Sequence, residues 1–578
     1  MGDVWSLFIA WELTSICSFL LIGLNDDIAA ARAAALRALL TTGAGGLAMM
    51  GGFVIIAVAA GTTSLTSLTE TIAHGGPNID LAVGLILVGA ATKSAQVPFH
   101  FWLPGAMQAP TPVSAFLHSA TMVKAGVVVV ARIAPAASHL DWWTPTLVFL
   151  GGATMLWGGG RALRQVDAKL ILAFGTVSQL GLLMVLFGIG DPATTAAGVA
   201  MLVAHSLFKA ALFMVVGLVD HATGTRDIRR LDGLARTLRP LAVIAALAGA
   251  SMAGVPPLLG FVAKESALAA LDTLDGWGTV ALVVVTAGSA LTVAYTLRFW
   301  FGVFGTADST EAARAAADAP ADTGPATAHH GVSALAWVPA AVLAALGIVG
   351  GLVAGWVQDG IDVAATALDS AAHVHLSLWA GLHLPVVLSA AIVLGGTALW
   401  WTGGRSGAAE RSWPLTAEGS YQATFDGLVT SAKNITAKVQ NGSLPWYLVV
   451  TFSITALAVL IPAATNGELG TLEVRLADGW AQAAVALIAA ALGVGIAFAR
   501  RRFAAVLLLG GVGYCLALIY LFLGAPDLAL TQVMVETIST VMFLLVLRHL
   551  PSGYRPASEW LARPVKIAVA TTAGAAMT

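Results

Sequence analysis

The sequence predicts an all-α, polytopic transmembrane helix bundle, and three observations carry this prediction. Of the 578 residues, 58% are hydrophobic and 10% are charged, whereas a soluble chain carries about 25% charged residues. The mean hydropathy is +0.85. Apolar stretches of about 20 residues, the length that crosses a hydrocarbon core, recur along the whole chain. The lipid bilayer is therefore the expected solvent.

The composition also excludes several functional classes. Acidic and basic residues nearly balance, 31 against 29, so no basic field for nucleic acid is expected. Cys17 and Cys515 lie in apolar stretches, and two cysteines form neither a disulfide framework nor a cysteine cluster for iron. Haem and nucleotide-binding motifs are missing from the sequence, so we expect no cofactor. Histidines within the spans lack zinc-site spacing, so we expect no metal.

The apolar stretches predict about fifteen spans and three parts of the chain. Residues 1–402 form a large body, residues 403–444 an amphipathic connecting segment, and residues 445–578 a smaller C-terminal bundle. Residues 305–333 are expected to form a flexible loop. We also expect both ends to be cut from a longer chain. The spans begin near residues 3, 33, 79, 112, 144, 168, 196, 239, 276, 334, 376, 445, 478, 503 and 527.

The basic residues predict an orientation for these spans. With the N-terminus outside and the spans alternating in direction, 23 of the 29 basic residues fall in cytoplasmic loops or ends, as the positive-inside rule requires. The loop around 161–169 is one of these. Arg132 and Arg475 fall outside, and four lysines fall within spans. The prediction is thus a multi-pass membrane protein with its basic loops cytoplasmic.

Two of the intramembrane lysines lie beside prolines that must interrupt their helices. Lys93 precedes Pro98 and Pro104, and Lys264 follows Pro256 and Pro257. Non-helical backbone at membrane depth is tolerated where it lines a cavity, and paired broken helices indicate a transport site. Because these spans are the third and the eighth, we expect two units of inverted topology.

Further ionisable residues lie deep in the spans, where each costs about 2.5–3.5 kcal/mol to insert. Glu12 lies near the middle of the first span, and His118 shares a span with Lys124. His205 and Lys209 are four residues apart and therefore share one helix face. Structural pairing or packing is the alternative for each of them, but their joint cost favours a polar route through the membrane.

The C-terminal bundle contains two candidate acids. Asp527 lies at the start of the last complete span, where it could act simply as a helix cap. Glu536 lies two to three turns deeper and is the stronger candidate for a functional residue.

Three strings then resemble a known family: TKSAQVPFHFWLPGAMQAPTPVSAFLHSATMVKAG, AHSLFKAALF and GFVAKE. They are similar to the proton-translocating antiporter-like subunits of respiratory complex I, membrane-bound hydrogenases and Mrp-type Na+/H+ antiporters. The appended bundle, which ends in APDLALTQVMVET, resembles the A subunits of the Mrp type.

The resemblance implies a function and partners. Protons would pass along a Glu12–Lys93 pair, His118, Lys124, His205, Lys209 and Lys264. Their movement would drive Na+ outward past Asp527 and Glu536. Other antiporter subunits would be partners. Two alternatives stay open: a membrane component of a redox-driven proton pump, and a structural membrane scaffold with locked ion pairs.

Overall fold

The structure, a computed structural model, is predominantly helical in the residues it describes. These are residues 2–306, 332–379, 381–404, 417–465, 477–549 and 563–577. Within those ranges, extended pairing is limited to isolated bridges, Asp3 with Ser64 and Asp167 with Asp227. The chain divides into two compact units, Met1–Asp426 and Gly427–Thr578. This division falls inside the segment 403–444; the three-part division of the sequence stays a prediction.

The first unit opens with four helices. Asp3 caps the first of them, since its carboxylate accepts hydrogen bonds from the N–H groups of Trp5 and Ser6, which are free donors at a helix start. The second helix approaches its neighbours closely through Gly45, where a Cβ would lie 1.8 Å from Thr92 Oγ1. The helices are α1 (Val4–Ile22), α2 (Ala29–Ala60), α3 (Leu65–His74) and α4 (Ile79–Lys93).

After Lys93 the chain runs through short turns before it becomes helical again. Two 3-10 turns, Phe99–Phe101 and Ala106–Gln108, and a π-helix, Phe116–Ala120, interrupt this region. The α-helical parts are α5 (Trp102–Gly105), α6 (Thr111–Ala115) and α7 (Lys124–Ala137).

The centre of the first unit is a helix buried on nearly all sides. In α9 (Ala168–Gly188), 94% of the most apolar window is buried. Around and after it come α8 (Trp143–Ala162), α10 (Pro192–Thr223), α11 (Leu234–Thr237), α12 (Arg239–Ala253), α13 (Leu259–Asp272) and α14 (Trp277–Phe304). The unit continues with α15 (Ala334–Leu352), α16 (Ala354–Thr366), α17 (Leu384–Leu399) and the start of α18 (Ala417–Val439).

The second unit contains the end of α18 and five further helices. These are α19 (Leu444–Thr465), α20 (Trp480–Phe498), α21 (Arg502–Phe522), α22 (Pro526–Leu547) and α23 (Arg563–Met577). Large apolar side chains of α20, α21 and α22 are mostly exposed, as expected for helices that face lipid or other membrane chains.

The predicted all-α polytopic fold, with two broken helices and an appended bundle, is confirmed. Twelve of the described helical segments are long and apolar enough to cross a membrane. The other three predicted spans correspond to α4 and α12, each of 15 residues, and to the less apolar α8.

The span predicted from residue 239 is interrupted as expected, because residues 254–258 separate α12 from α13. The structure corrects two other details of the predicted spans. The span predicted from residue 376 begins only at Leu384. Lys169, assigned to a cytoplasmic loop, lies in the first turn of α9 and is buried. Most of the predicted flexible loop, residues 307–331, lies outside the described residues.

Candidate functional site

Lys93 is the last residue of α4, where the first broken helix ends. Ala95 has a positive φ of 50°, so the chain leaves the helix within two residues. The Lys93 side chain is fully buried. Its ammonium donates to the Trp11 carbonyl at 2.9 Å and to Ser15 Oγ at 2.6 Å. It also lies 4.9 Å from the centre of the Trp11 ring, within cation–π range.

Glu12 lies on α1 beside this lysine. Its Oε1 is buried and has no hydrogen-bond partner. Gly46 of α2 makes the space for it, because a Cβ there would lie 2.1 Å from that oxygen. Glu12 and Lys93 interact electrostatically, yet they form no ion pair within the described residues. The structure therefore brings the carboxylate of Glu12 and the ammonium of Lys93 close together without a direct ion pair.

His118 lies in the π-helix and is completely buried. Neither ring nitrogen has a hydrogen-bond partner, and its ring lies near those of Trp102 and Phe213, at 6.3 and 6.4 Å between centroids. Such π-helical turns are frequent at functional sites. The sequence did not predict this third interruption, which separates Ala120 from α7.

Lys124 begins α7 directly after that interruption. Its ammonium donates to the Leu202 carbonyl at 3.1 Å and to the Ser206 hydroxyl. Both acceptors lie on α10, so Lys124 connects the broken span to the helix that bears the next two candidates.

His205 and Lys209 are both buried on α10. Neither ring nitrogen of His205 has a hydrogen-bond partner, and His205 interacts electrostatically with both Lys124 and Lys209. Lys209 donates to the Leu172 carbonyl of α9 at 2.9 Å. His205 therefore interacts with two buried lysines.

Lys264 lies in α13, after the second break. Its ammonium reaches back across the break to the Ala253 carbonyl, at 2.8 Å. Gly254 turns the chain there with a φ of 80°, and a Cβ on it would lie 2.9 Å from Lys264 Nζ. The helix break thus supplies both the acceptor and the space for the lysine.

Lys169 and Glu265 are buried charged residues that were missed by the sequence reasoning. Lys169 donates to the carbonyls of Met107 and Ala109 in the first broken region, and it interacts electrostatically with His118. Glu265, next to Lys264, accepts a hydrogen bond from Ser389 at 2.7 Å. Glu265 could have been noticed from the sequence, because it lies in the same span as Lys264.

The buried lysines share one electrostatic property. Within the described ranges, none of them pairs with a carboxylate, and the ion pairs involve arginines: Arg37–Glu418, Arg226–Asp167 and Arg229–Asp227. Their hydrogen-bond acceptors are main-chain carbonyls and hydroxyls. An unpaired buried ammonium is costly, so such a group readily changes its protonation state. The five lysines are Lys93, Lys124, Lys169, Lys209 and Lys264.

Asp167 lies just outside the span that contains Lys169. It caps α9 by accepting from the N–H groups of Lys169 and Leu170. Burial raises the pKa of Asp167 above its usual value, although Arg226 and these two N–H groups oppose the change. With Arg226, Asp220 and Asp227 it lines an open polar cavity of about 530 Å³.

In the second unit, Glu536 is the better enclosed of the two candidate acids. It is half-buried on α22, and a Cβ on Gly513 of α21 would lie 2.1 Å from its Oε2. Gln532 and Thr540 donate to its carboxylate at 3.5 Å. Asp527 is exposed in the first turn of α22. The cap residue there is Ala525, so Asp527 does not cap this helix.

A metal centre has no support in the described parts of the chain. Among those residues, no group of three or more His, Cys, Asp or Glu side chains could hold a metal ion.

Comparison with known proteins then gives the family. Residues 2–292 match the family model described as NADH:quinone oxidoreductase/Mrp antiporter, TM. Residues 486–552 match the family model for the D subunit of MBH.

Several relatives and a solved structure agree with these matches. The A subunit of the Na+/H+ antiporter of Bacillus subtilis is 36% identical, over 95% of this chain and 71% of the relative. A protein of Rhizobium meliloti, named as the probable A/B subunit of a K+/H+ antiporter, is 37% identical, over 95% of this chain and 55% of the relative. A chain in the structure of the Mrp complex from Dietzia sp. DQ12-45-1b has a TM-score of 0.77 and 32% identity; the match covers all of this chain and 62% of that one.

The chain thus spans less than two thirds of the matched Mrp chain. The polytopic fold, the two matched family models and the sequence identity along almost the whole length agree with one another. This chain therefore belongs to the family of Mrp-type Na+/H+ antiporter A subunits.

Proposed function

We propose that this chain works with other antiporter subunits in a membrane complex that exchanges cations for protons. In this proposal protons move along buried ionisable residues of the first unit, and their movement drives Na+ out of the cell. The path residues are Glu12, Lys93, His118, Lys124, His205, Lys209 and Lys264.

The observation that carries the proposal is the type of acceptor that each path lysine contacts. A carboxylate would hold the positive charge in place, whereas a carbonyl or a hydroxyl stabilises it more weakly. These lysines can therefore exist as amine or ammonium, depending on the charge of their neighbours. His205 interacts with the charges of both Lys124 and Lys209, so the groups would titrate together rather than singly.

Cation passage is proposed for the second unit, at Glu536 and Asp527. Glu536 offers a carboxylate enclosed at the contact of α21 and α22, and hard cations prefer oxygen ligands. The relatives are named for Na+ in one case and K+ in another; we propose Na+ as the cargo. The complex would lie in a bacterial cell membrane, with the basic loops of this chain cytoplasmic.

Transport measurements on the whole complex test the proton path. In everted membrane vesicles, Lys93→Ala and Glu12→Ala are expected to lower the Na+-driven pH change by about a hundredfold, the scale of a lost proton-transfer group. Exposed residues of the same types provide matched controls, Lys433→Ala and Glu70→Ala. Wild-type activity of both path variants at wild-type expression would remove these residues from the path.

The two alternatives make different predictions. A redox-driven pump requires an electron donor, so Na+-driven pH change in vesicles without any donor would count against it. A scaffold with locked ion pairs is disfavoured by the five buried lysines without carboxylate partners. Both the names of the relatives and the Mrp structure favour the antiporter over these alternatives.

A further inference from the structure

Tyr295 of α14 is a fully buried titratable residue that the proposed proton path does not use. Its ring lies beside Lys209, with Nζ 5.8 Å from the ring centroid. A cation within about 6 Å of an aromatic ring face is attracted by the electron-rich face. The Lys209 ammonium therefore has two contacts, the Leu172 carbonyl and this ring.

Gly175 of α9 marks the point where the two side chains meet. A Cβ at this position would lie 2.8 Å from Lys209 Nζ and 3.0 Å from Tyr295 Cε2. Any larger residue would push the ammonium or the ring away. The close approach of lysine and tyrosine thus depends on a glycine in a helix interior, where glycine is otherwise unfavourable.

Hydrogen bonds hold the tyrosine ring in place. Its hydroxyl donates to the Gly175 carbonyl at 3.5 Å, and it also hydrogen-bonds with the side chains of Thr292 and Gln179. The Gln179 amide in turn donates to Thr292 Oγ1 at 3.3 Å. These hydrogen bonds at the hydroxyl orient the ring beside the lysine.

We propose that Tyr295 is a positioning residue that stabilises the protonated form of Lys209 and so sets the pH range in which this step of the proton path operates. The inference rests on the proposed function of Lys209. The ring attracts the ammonium but not the neutral amine, so it acts on one protonation state only.

Several other titratable groups lie on α10 and on the elements around it. His205 lies one turn away on the same helix and interacts with its charge. Lys124 hydrogen-bonds to α10 from α7. The elements packed against α10 carry further charged or titratable groups, namely His118, Lys169, Arg239, Lys264, Glu265, Asp272, Asp359 and Asp362. These groups stay unchanged in the test below, in which the phenylalanine variants differ from one another in the ring alone.

The test replaces Tyr295 with phenylalanine and then with phenylalanines that carry one, two and three fluorines, in the whole antiporter complex. Fluorination weakens the attraction of the ring for a cation but barely changes its shape. The pH profile of Na+-driven proton transport should move stepwise toward lower pH, by about one pH unit over the series, or about 1.4 kcal/mol. Gly175→Ala should move the profile in the same direction.

The outcomes separate the inference from the proposed function. A stepwise shift supports the inference, because a purely structural ring gives one profile for the whole series. If all the rings give the same profile while Lys209→Ala abolishes transport, Tyr295 does not act on Lys209, and the inference is wrong. If Lys209→Ala transports like the wild type, the proposed path is wrong at this residue, and the inference fails with it.

Discussion

Removal of the Ser15 hydroxyl should change the proton affinity of Lys93 without removing the lysine. Ser15 is fully buried, and its Oγ lies 2.6 Å from Lys93 Nζ. In Ser15→Ala the ammonium keeps the Trp11 carbonyl and ring but loses its other hydrogen-bond acceptor. A hydrogen bond to a charged group contributes about 1.5–3 kcal/mol.

That energy converts directly into a change in pH dependence. At 1.36 kcal/mol for each pH unit, the loss of this hydrogen bond should lower the pH at which Lys93 loses its proton by about one to two units. The sign follows from which form loses the bond: the ammonium does, so Lys93 releases its proton at lower pH. The pH profile of Na+-driven proton transport should therefore shift toward lower pH by up to that amount.

Everted vesicles that contain the whole complex allow this measurement with a matched control. Ser18→Ala removes a hydroxyl one turn further along α1, where Ser18 donates to the Ser15 carbonyl and does not contact Lys93. Its profile should equal that of the wild type. The reasoning is refuted if Ser15→Ala has the wild-type profile while Lys93→Ala is inactive, since the hydroxyl would then have no influence on the lysine.

Three further variants test other contacts. Gly126→Ala would place a Cβ 2.1 Å from the Ala90 carbonyl, so α7 and α4 must separate. We expect the free energy of unfolding to fall by about 1–3 kcal/mol. An unchanged melting temperature would contradict the close packing. Gly513→Ala would displace the Glu536 carboxylate and should lower Na+ transport about tenfold or more while assembly is kept. Unchanged Na+ transport would speak against a cation path there. Burial raises the pKa of Asp167, so the folded state binds its proton more tightly than the unfolded state does, and stability falls as pH rises from about 4 through the raised pKa. Asp167→Asn should lose this pH dependence, as thermal unfolding at several pH values would reveal.

The fold class and the two proline breaks could be predicted from the sequence because their causes are local. Apolar length determines whether a segment can span a bilayer, and proline removes a backbone donor wherever it occurs. The breaks beside Lys93 and Lys264 were therefore predicted from the residues alone.

The remaining features depend on contacts between distant segments. The interruption between Ala120 and Lys124 has no glycine or proline within it, so no local signal marks it. Lys169 looked like a loop residue because it lies near the end of a span, and its burial arises only from the packing around α9. The acceptors of the buried lysines are mostly carbonyls, which every residue type possesses, so the sequence does not identify them.

The helix break before Lys264 leaves the Ala253 carbonyl without its usual helical partner and places the ammonium against it. Every amino acid brings the same oxygen to that position, so no exchange of side chain at residue 253 deletes the acceptor. Only substitutions of Lys264 itself, or of residues that limit the space around its ammonium, above all Gly254, can change this contact. The proton affinity of Lys264 is therefore adjusted through the space at Gly254 and not through the acceptor.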